Sequence, residues 1–264
     1  MSWKLATFNT NGIRARMGII LDWLEAEQPD VLCLQETKVQ DKDFPLAPLE
    51  EAGYQAAFWG QKSYNGVAIL TRRQPQEVIR GFAGDELPPE EQARIITVLV
   101  DGVWVVNTYV PQGREVDDPA FQYKLDFLER LRAWLARRFS PQSDRLVLAG
   151  DMNVAPRDLD VFDPQRMEGK VTCHPRERRA LARLVEWGLE DVFRRLHPQE
   201  QQFTFWDYRL PRALKRNLGW RIDHIYASPP LARTCTAAWV DTGPRALPKP
   251  SDHTFLLATF ELEI

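Results

Sequence analysis

Side chains able to hold a hard cation or to move a proton recur in this chain at the edges of apolar runs. Asn9 follows WKLATF, Glu36 follows VLCLQ, and Tyr109 closes VVNTY. RLVLAG runs into Asp151 and Asn153 of GDMN. Asp223 opens the run DHIYA, and Asp252 and His253 of SDH stand just before TFLLATF. Taken singly these are weak signals. An Asn at a strand end is usually a turn residue, a tyrosine there is usually a core aromatic, and Asp223 beside Arg221 has the makings of an ordinary ion pair. GDMN says more, because Gly150 permits close backbone approach, and residues two apart on an extended chain face the same side. Carboxylate and amide oxygens are the ligands Mg²⁺ takes, and no Cys/His spacing for zinc is present. Cleaving a phosphodiester requires an oriented water, neutralised phosphoryl oxygens and help for the leaving oxygen. An Asp, a His backed by a second Asp, a Tyr and a metal-binding carboxylate supply all three.

Bringing these residues together requires strands whose ends share a rim. Ten runs read as strands: WKLATF, DVLCLQ, YQAAFW, GVAIL, RIITVLV, VWVVNTYV, RLVLAG, RIDHIYA, TAAWV and TFLLATFEL. Several are continuously apolar and so buried on both faces. Ile13, Met17, Ile20, Leu21 and Leu24 share one helical face, as do Phe121, Leu125, Leu128, Leu131 and Leu135. A third helix is expected from Pro175 to Trp187, with Pro in its first turn and Gly188 as its stop. Ten strands with three or four helices exceed one open sheet, so two packed sheets with helices outside are expected. The proline-rich segments at 86–91 and 244–250 read as loops within a single domain spanning 1–264.

Composition narrows the class. With 44% hydrophobic and 27% charged residues, and no apolar stretch of bilayer length, the chain reads as a globular protein without a membrane span. Three cysteines form no metal-type pair, and Cys33 sits inside VLCLQ, which favours reduced thiols and a cytoplasmic setting. The net charge of −3 excludes a wholly basic surface, so phosphate contacts must be local. One candidate cluster is Arg209, Arg212, Lys215, Arg216 and Arg221. The run Arg176 to Arg183 reads instead as the wet face of a helix.

The motifs FNTNGIRAR, LQETK, NTYVPQG, GDMNVAP, GWRIDHI and KPSDH together resemble the exonuclease III/AP endonuclease branch of the endonuclease/exonuclease/phosphatase superfamily. The resemblance runs from Trp3 to Phe260. It implies an α/β fold, a four-layered α/β sandwich of two packed mixed β-sheets flanked by helices. It implies a Mg²⁺-dependent nuclease (Mn²⁺ substituting) that cuts duplex DNA 5′ to abasic sites, trims blocked 3′ ends and has 3′→5′ exonuclease activity. Glu36 resembles the principal metal carboxylate, with Asn9, Asp252, Asp151, Asn153 and His253 near metal or phosphate. Asp151 resembles the residue that deprotonates the attacking water, assisted by Asn153. His253 is similar to the imidazole on a phosphoryl oxygen, oriented by Asp223, and Tyr109 to the phenol at the leaving group. Arg14, Tyr64 and Arg114 match DNA-contacting positions, and Phe205, Trp220 and Ile222 match the abasic-sugar pocket. The order Phe205-Trp206 resembles the branch dominated by abasic incision. Asn11 stands where some branches carry a carboxylate. A monomer is expected, in the cytoplasm and at the nucleoid if the source is a bacterium. Two other readings stay open: a superfamily phosphodiesterase or phosphatase with a different substrate, and a non-catalytic nucleic-acid-binding relative.

Overall fold

The period-2 pattern of the apolar runs decides what each strand buries. In the computed structural model, which describes residues 1–83 and 92–263, twelve strands form two six-stranded mixed sheets. The first sheet contains β1 (Ser2–Asn9), β2 (Val31–Gln35), β3 (Gln55–Trp59), β4 (Val67–Thr71), β11 (Cys235–Asp241) and β12 (Phe255–Glu261), in the order β11-β12-β1-β2-β4-β3. The second contains β5 (Glu77–Arg80), β6 (Ile95–Val100), β7 (Val103–Tyr109), β8 (Leu146–Asp151), β9 (Glu190–Asp191) and β10 (Asp223–Ala227), in the order β5-β6-β7-β8-β10-β9. All ten expected strands are present. Two more, β5 and β9, were not foreseen. The segment at 86–91 lies outside the described residues.

Each sheet holds one parallel pair, β1–β2 and β7–β8, with every other pairing antiparallel. A parallel pair needs a crossover, and here it is a helix: α1 (Ile13–Glu27) joins β1 to β2, and α3 (Pro119–Arg138) joins β7 to β8. Shorter helices are α2 (Leu46–Glu51), α4 (Pro164–Met167), α6 (Val192–Leu196) and α7 (Pro229–Ala232), with α5 at Pro175–Glu186. Alternate residues of every central strand meet between the sheets: Trp3 and Leu5, Val31 and Cys33, Val105, Val147 and Ala149, Ile225. The intervening residues face outward. Phe8, Leu32 and Leu34 pack with Ile20 and Leu24 of α1. Val106 and Leu148 pack with Leu128, Leu131 and Leu135 of α3 and Leu181 and Leu184 of α5. The layers are therefore helix, sheet, sheet, helix, as expected. Gly150 sits at φ 137°, where a Cβ would lie 2.0 Å from the Thr108 carbonyl oxygen, so only glycine lets β8 pass β7 at this point. Among the described residues no helix is long and apolar enough to cross a membrane, and the three cysteines are free and buried.

Candidate active site

The strand alternation that buries the core also aims the polar strand ends. Asn9 continues the inward parity of Trp3 and Leu5, Tyr109 that of Val105, and Asp151 that of Val147 and Ala149. Asp223 shares the parity of Ile225. All four therefore project into the gap between the sheets at one edge, where apolar filling stops. Beneath them a polar layer seals the core: Gln35 donates through Nε2 to Thr7 Oγ1 at 2.9 Å and to Asn107 Oδ1 at 2.7 Å. Because both parallel pairs end at this edge, four strand-to-loop exits converge there. Asn11, Glu36, Lys38, Arg114 and Asn153 in these exits all have left-handed backbones, with φ of 47° to 55°.

The hydrogen bonds make one connected cluster. Asn9 Nδ2 donates to Glu36 Oε1 and to Asp151 Oδ2, each at 2.9 Å, joining a carboxylate of one sheet to a carboxylate of the other. Asp151 Oδ1 accepts from the Asn153 backbone N–H at 2.8 Å, and the Asn153 side-chain amide donates to Val110 O at 2.9 Å. His253 lies between two acids: Nδ1 is 2.8 Å from Asp223 Oδ2, and Nε2 is 3.7 Å from Asp151 Oδ2. On the outer side Lys38 Nζ is 2.9 Å from Glu36 Oε2 and also donates to Asn11 Oδ1. Asn11 Nδ2 in turn donates to Asp252 Oδ1 at 3.0 Å.

Burial and charge set the protonation states. Burial, reinforced by the Asp223 charge, raises the Asp151 carboxyl to about 7 against the opposing pull of His253. Burial works against an imidazolium at His253, but the charges of Asp223 and Asp151 outweigh it and raise its pKa to about 10. Burial also pushes Glu36 up, yet Lys38 and the Asn9 amide prevail and hold it below the usual carboxylate range. Tyr109 is held well above its ordinary value by burial, with Glu36 and Asp151 adding to the effect. At neutral pH the rim therefore carries an ionised Glu36, a protonated imidazole, a neutral phenol and a carboxyl poised near neutrality.

A cavity of about 710 Å³ opens over this cluster. Glu36, Tyr109, Asp151, Asn153, Asp252 and His253 form its polar floor, and Phe205, Trp220, Ile222 and Phe162 an apolar wall. The wall is pinned to the floor. Phe205 and Trp220 exchange backbone hydrogen bonds at 3.0 Å, and the Phe205 ring centroid lies 4.8 Å from that of His253. Phe162 meets Trp220 edge-on at 5.0 Å. Asn9 and Asp223 stand behind the floor, fully buried. Arg114 reaches the cavity mouth. Arg14 and Tyr64 do not line it: Arg14 donates to Asp43 O at 2.7 Å, and Tyr64 is 72% exposed.

Two further findings come from outside the strand-end pattern. Phe162, Met167, Lys170 and Thr172 line the cavity from the segment around α4, where nothing in the spacing marked them. Arg221, grouped above with phosphate-binding arginines, is fully buried. Its guanidinium bonds Asp160 Oδ1 at 2.7 Å and Asp191 Oδ2 at 2.8 Å, so it cannot reach a phosphate. In the Arg176–Arg183 run, Arg176, Arg179 and Arg183 lie on the exposed face of α5, while Glu177 and Leu181 are buried.

Asp151, Asp223 and His253 place ligand-capable atoms within 4.8 Å of one another, a buried group able to hold a metal. An imidazole protonated at both nitrogens offers a cation no lone pair, however. Glu36 and Asp252 face the cavity instead, and their oxygens are the donor set a hard divalent ion takes.

The chain matches the Endonuclease/Exonuclease/phosphatase family over residues 6–253. It is 38% identical to exodeoxyribonuclease III of Haemophilus influenzae, over 98% of this chain and 100% of that protein. An AP endonuclease structure from Archaeoglobus fulgidus superimposes with a TM-score of 0.94 at 43% identity, covering 98% of this chain and 100% of the other. A 3′ phosphatase from Neisseria, solved with a product DNA hairpin, superimposes with a TM-score of 0.93 at 38% identity over 98% and 100% of the two chains.

Proposed function

The chain belongs to the endonuclease/exonuclease/phosphatase family, and from that premise we propose that it is a DNA-repair nuclease of the exonuclease III/AP endonuclease branch. It hydrolyses the phosphodiester 5′ to an abasic site in duplex DNA and trims blocked 3′ ends at the same centre. One observation carries this reading. The Asn9 amide links a carboxylate of each sheet beside a hydrogen-bonded Asp223–His253 pair, on the floor of a cavity with an apolar wall. The exonuclease III and 3′ phosphatase relatives support the 3′-end activity.

The residues divide the work as follows. Glu36 and Asp252, with Asn9 behind them, would hold Mg²⁺, with Mn²⁺ as a substitute. When bound, the ion would neutralise negative charge on the phosphoryl oxygens and help the leaving oxygen. Asp151 takes the proton of the attacking water, whose oxygen forms the new bond to phosphorus. Its pKa near 7 suits a base that must also release the proton. The Asn153 N–H fixes the orientation of the Asp151 carboxylate. His253 donates from Nε2 to a phosphoryl oxygen and keeps its charge because Asp223 holds Nδ1. As the bond to the 3′ oxygen breaks, that oxygen needs a proton, and the neutral Tyr109 hydroxyl is the donor at hand. Products are a 3′-hydroxyl and a 5′-phosphate on the abasic sugar.

Specificity is assigned to Phe205, Trp220 and Ile222. A sugar without a base leaves the stack at low cost and fits a small apolar wall that a nucleotide overfills. Arg114 at the cavity mouth, with Arg14 and Tyr64 outside it, faces the duplex. We further propose that the chain acts as a monomer with one catalytic unit over residues 1–264. The three free, buried thiols suit the reducing cytoplasm.

The test is a duplex carrying one abasic analogue, incubated with the purified protein and Mg²⁺ or a chelator. The expected product is a single nick 5′ to the lesion, ending in a 3′-hydroxyl and absent with chelator. Binding without cleavage, or chelator-insensitive cleavage 3′ to the lesion, would overturn the reading.

A further inference from the structure

Lys124, in the second turn of α3, has no accessible surface, and among the described residues its only ion-pair partner is the equally buried Glu177 of α5. Burying two charges is expensive, and a well-packed apolar pair in their place is often as stable or more so. Stability alone therefore does not explain this lysine. Its remaining contacts are informative. Nζ donates to Asn153 O at 2.8 Å and to Gln112 O at 3.3 Å. These carbonyls belong to two different strand exits, one after β8 and one after β7.

Both exits carry a left-handed residue, Asn153 at φ 52° and Arg114 at φ 54°. Such backbones cost energy in L-residues and persist only where surrounding contacts hold them. At Asn153 the holding contacts are visible. Its side chain donates to Val110 O, its own carbonyl accepts from Lys124, and its N–H faces Asp151 Oδ1. In the other exit, Gln112 Oε1 accepts from the Arg114 N–H at 2.6 Å. Gly113 lies directly on the lysine stem, where a Cβ would come within 3.3 Å of Lys124 Cδ. Glu177 completes the tie by accepting from the His174 N–H at 2.9 Å, which anchors the start of α5.

The geometry points to Lys124 as a positioning residue: by gripping the Asn153 and Gln112 carbonyls, it holds the left-handed Asn153 backbone, whose own N–H orients the Asp151 carboxylate. This rests on the reading that Asp151 and Asn153 handle the attacking water. Lys124 touches no substrate. Its effect must therefore appear in turnover rather than in affinity for the duplex.

The experiment is a graded series assayed on an abasic duplex with Mg²⁺, with melting temperature measured alongside. Lys124→Arg keeps the charge and donors. Lys124→Gln/Glu177→Gln keeps a shorter donor and no buried charge. Lys124→Met/Glu177→Gln keeps neither donor nor charge, so no unpaired charge is left inside. The expected order of kcat is wild type, Arg, Gln/Gln, Met/Gln, with the last down on the order of 10- to 100-fold. KM for the duplex should stay within roughly threefold across the series. Wild-type kcat in a folded Met/Gln variant, or losses that follow KM or the melting temperature rather than the donor order, would overturn the proposal. Should Met/Gln fail to fold, an Arg variant no faster than Gln/Gln would do the same. If the wild-type protein itself leaves abasic duplex uncut, it is the functional reading that fails.

Discussion

Two clusters of buried charge centre on Arg221 and Asp223, on either side of Ile222 in the chain, and they behave oppositely. Around Asp223 four acids, Glu36, Asp151, Asp223 and the half-buried Asp252, face one imidazole and the half-exposed Lys38. Asp151 is pushed up to about 7, and Asp223 Oδ1 has no hydrogen-bond partner among the described residues. Around Arg221 two acids, Asp160 and Asp191, face two guanidinium groups. Asp160 Oδ1 accepts from Arg221 Nε at 2.7 Å and from Arg194 Nη2 at 2.6 Å. Burial raises the pKa of both acids, but Arg221, joined by His224 at both and by Arg194 at Asp160, overcomes it and holds them below their ordinary values. The same residue types thus give a compensated cluster that holds β9, β10 and α6 together, and an undercompensated one able to exchange protons. What separates them is the ratio of fixed cations to carboxylates, which perturbed pKa values register at functional sites.

Replacing one carboxylate of the undercompensated cluster should show the larger consequence. Asp151→Asn is expected to lose on the order of 10²- to 10⁴-fold in turnover. Affinity for abasic duplex should be retained or slightly improved, because a carboxylate near the phosphate is gone. Single-turnover rates and a binding isotherm check this, and losses in proportion would make Asp151 structural.

The compensated cluster should break differently. Arg221→Met leaves Asp160 and Asp191 with too little positive charge and should cost about 3–5 kcal/mol of stability. Asp160 and Asp191 contribute stability above their ordinary pKa of 3.8 that is lost on acidification through the depressed folded values. The variant should therefore also lose acid-side pH dependence. Urea unfolding at pH 7 and at about pH 2.5, inside the window below 3.8, measures both, and an unchanged midpoint would show that the network holds nothing.

The comparison sharpens within the rim. Asp223→Asn and His253→Asn should each impair turnover, and the double variant should be little worse than the worse single one, as for residues acting as a unit. Multiplicative losses would separate them. The smallest effect is expected at the wall. Phe205→Ala with Trp220→Ala should lower incision at abasic sites by about tenfold, in the range of an apolar pocket contact. Cleavage at ordinary nucleotides should fall less. Equal losses with a lowered melting temperature would make the two rings plain core.

Strand ends were legible in the sequence because alternation and burial act over many residues at once. Asn9, Tyr109, Asp151 and Asp223 follow directly from the parity of the apolar residues before them. β5 was not legible, since only Ile79 of its four residues is buried, and the two-residue β9 is too short to show a period. Arg221 and Lys124 escaped for a different reason. Each sits among charged neighbours in a sequence that looks solvated, and each is buried by partners distant in the chain: Asp160 lies 61 residues from Arg221, and Glu177 lies 53 residues from Lys124. Local spacing carries no signal of such pairs. The cavity segment at 162–172 was hidden in the same way.

The most direct test of the contrast is the pH dependence of kcat for abasic incision in wild type and in Asp223→Asn. In wild type, turnover should rise as Asp151 loses its proton near pH 7 and fall as His253 loses its own near pH 10. The Asp223 charge raises both values, so both limbs should move to lower pH in the variant. A wild-type profile flat from pH 5 to pH 9, or limbs that stay in place without Asp223, would contradict the account.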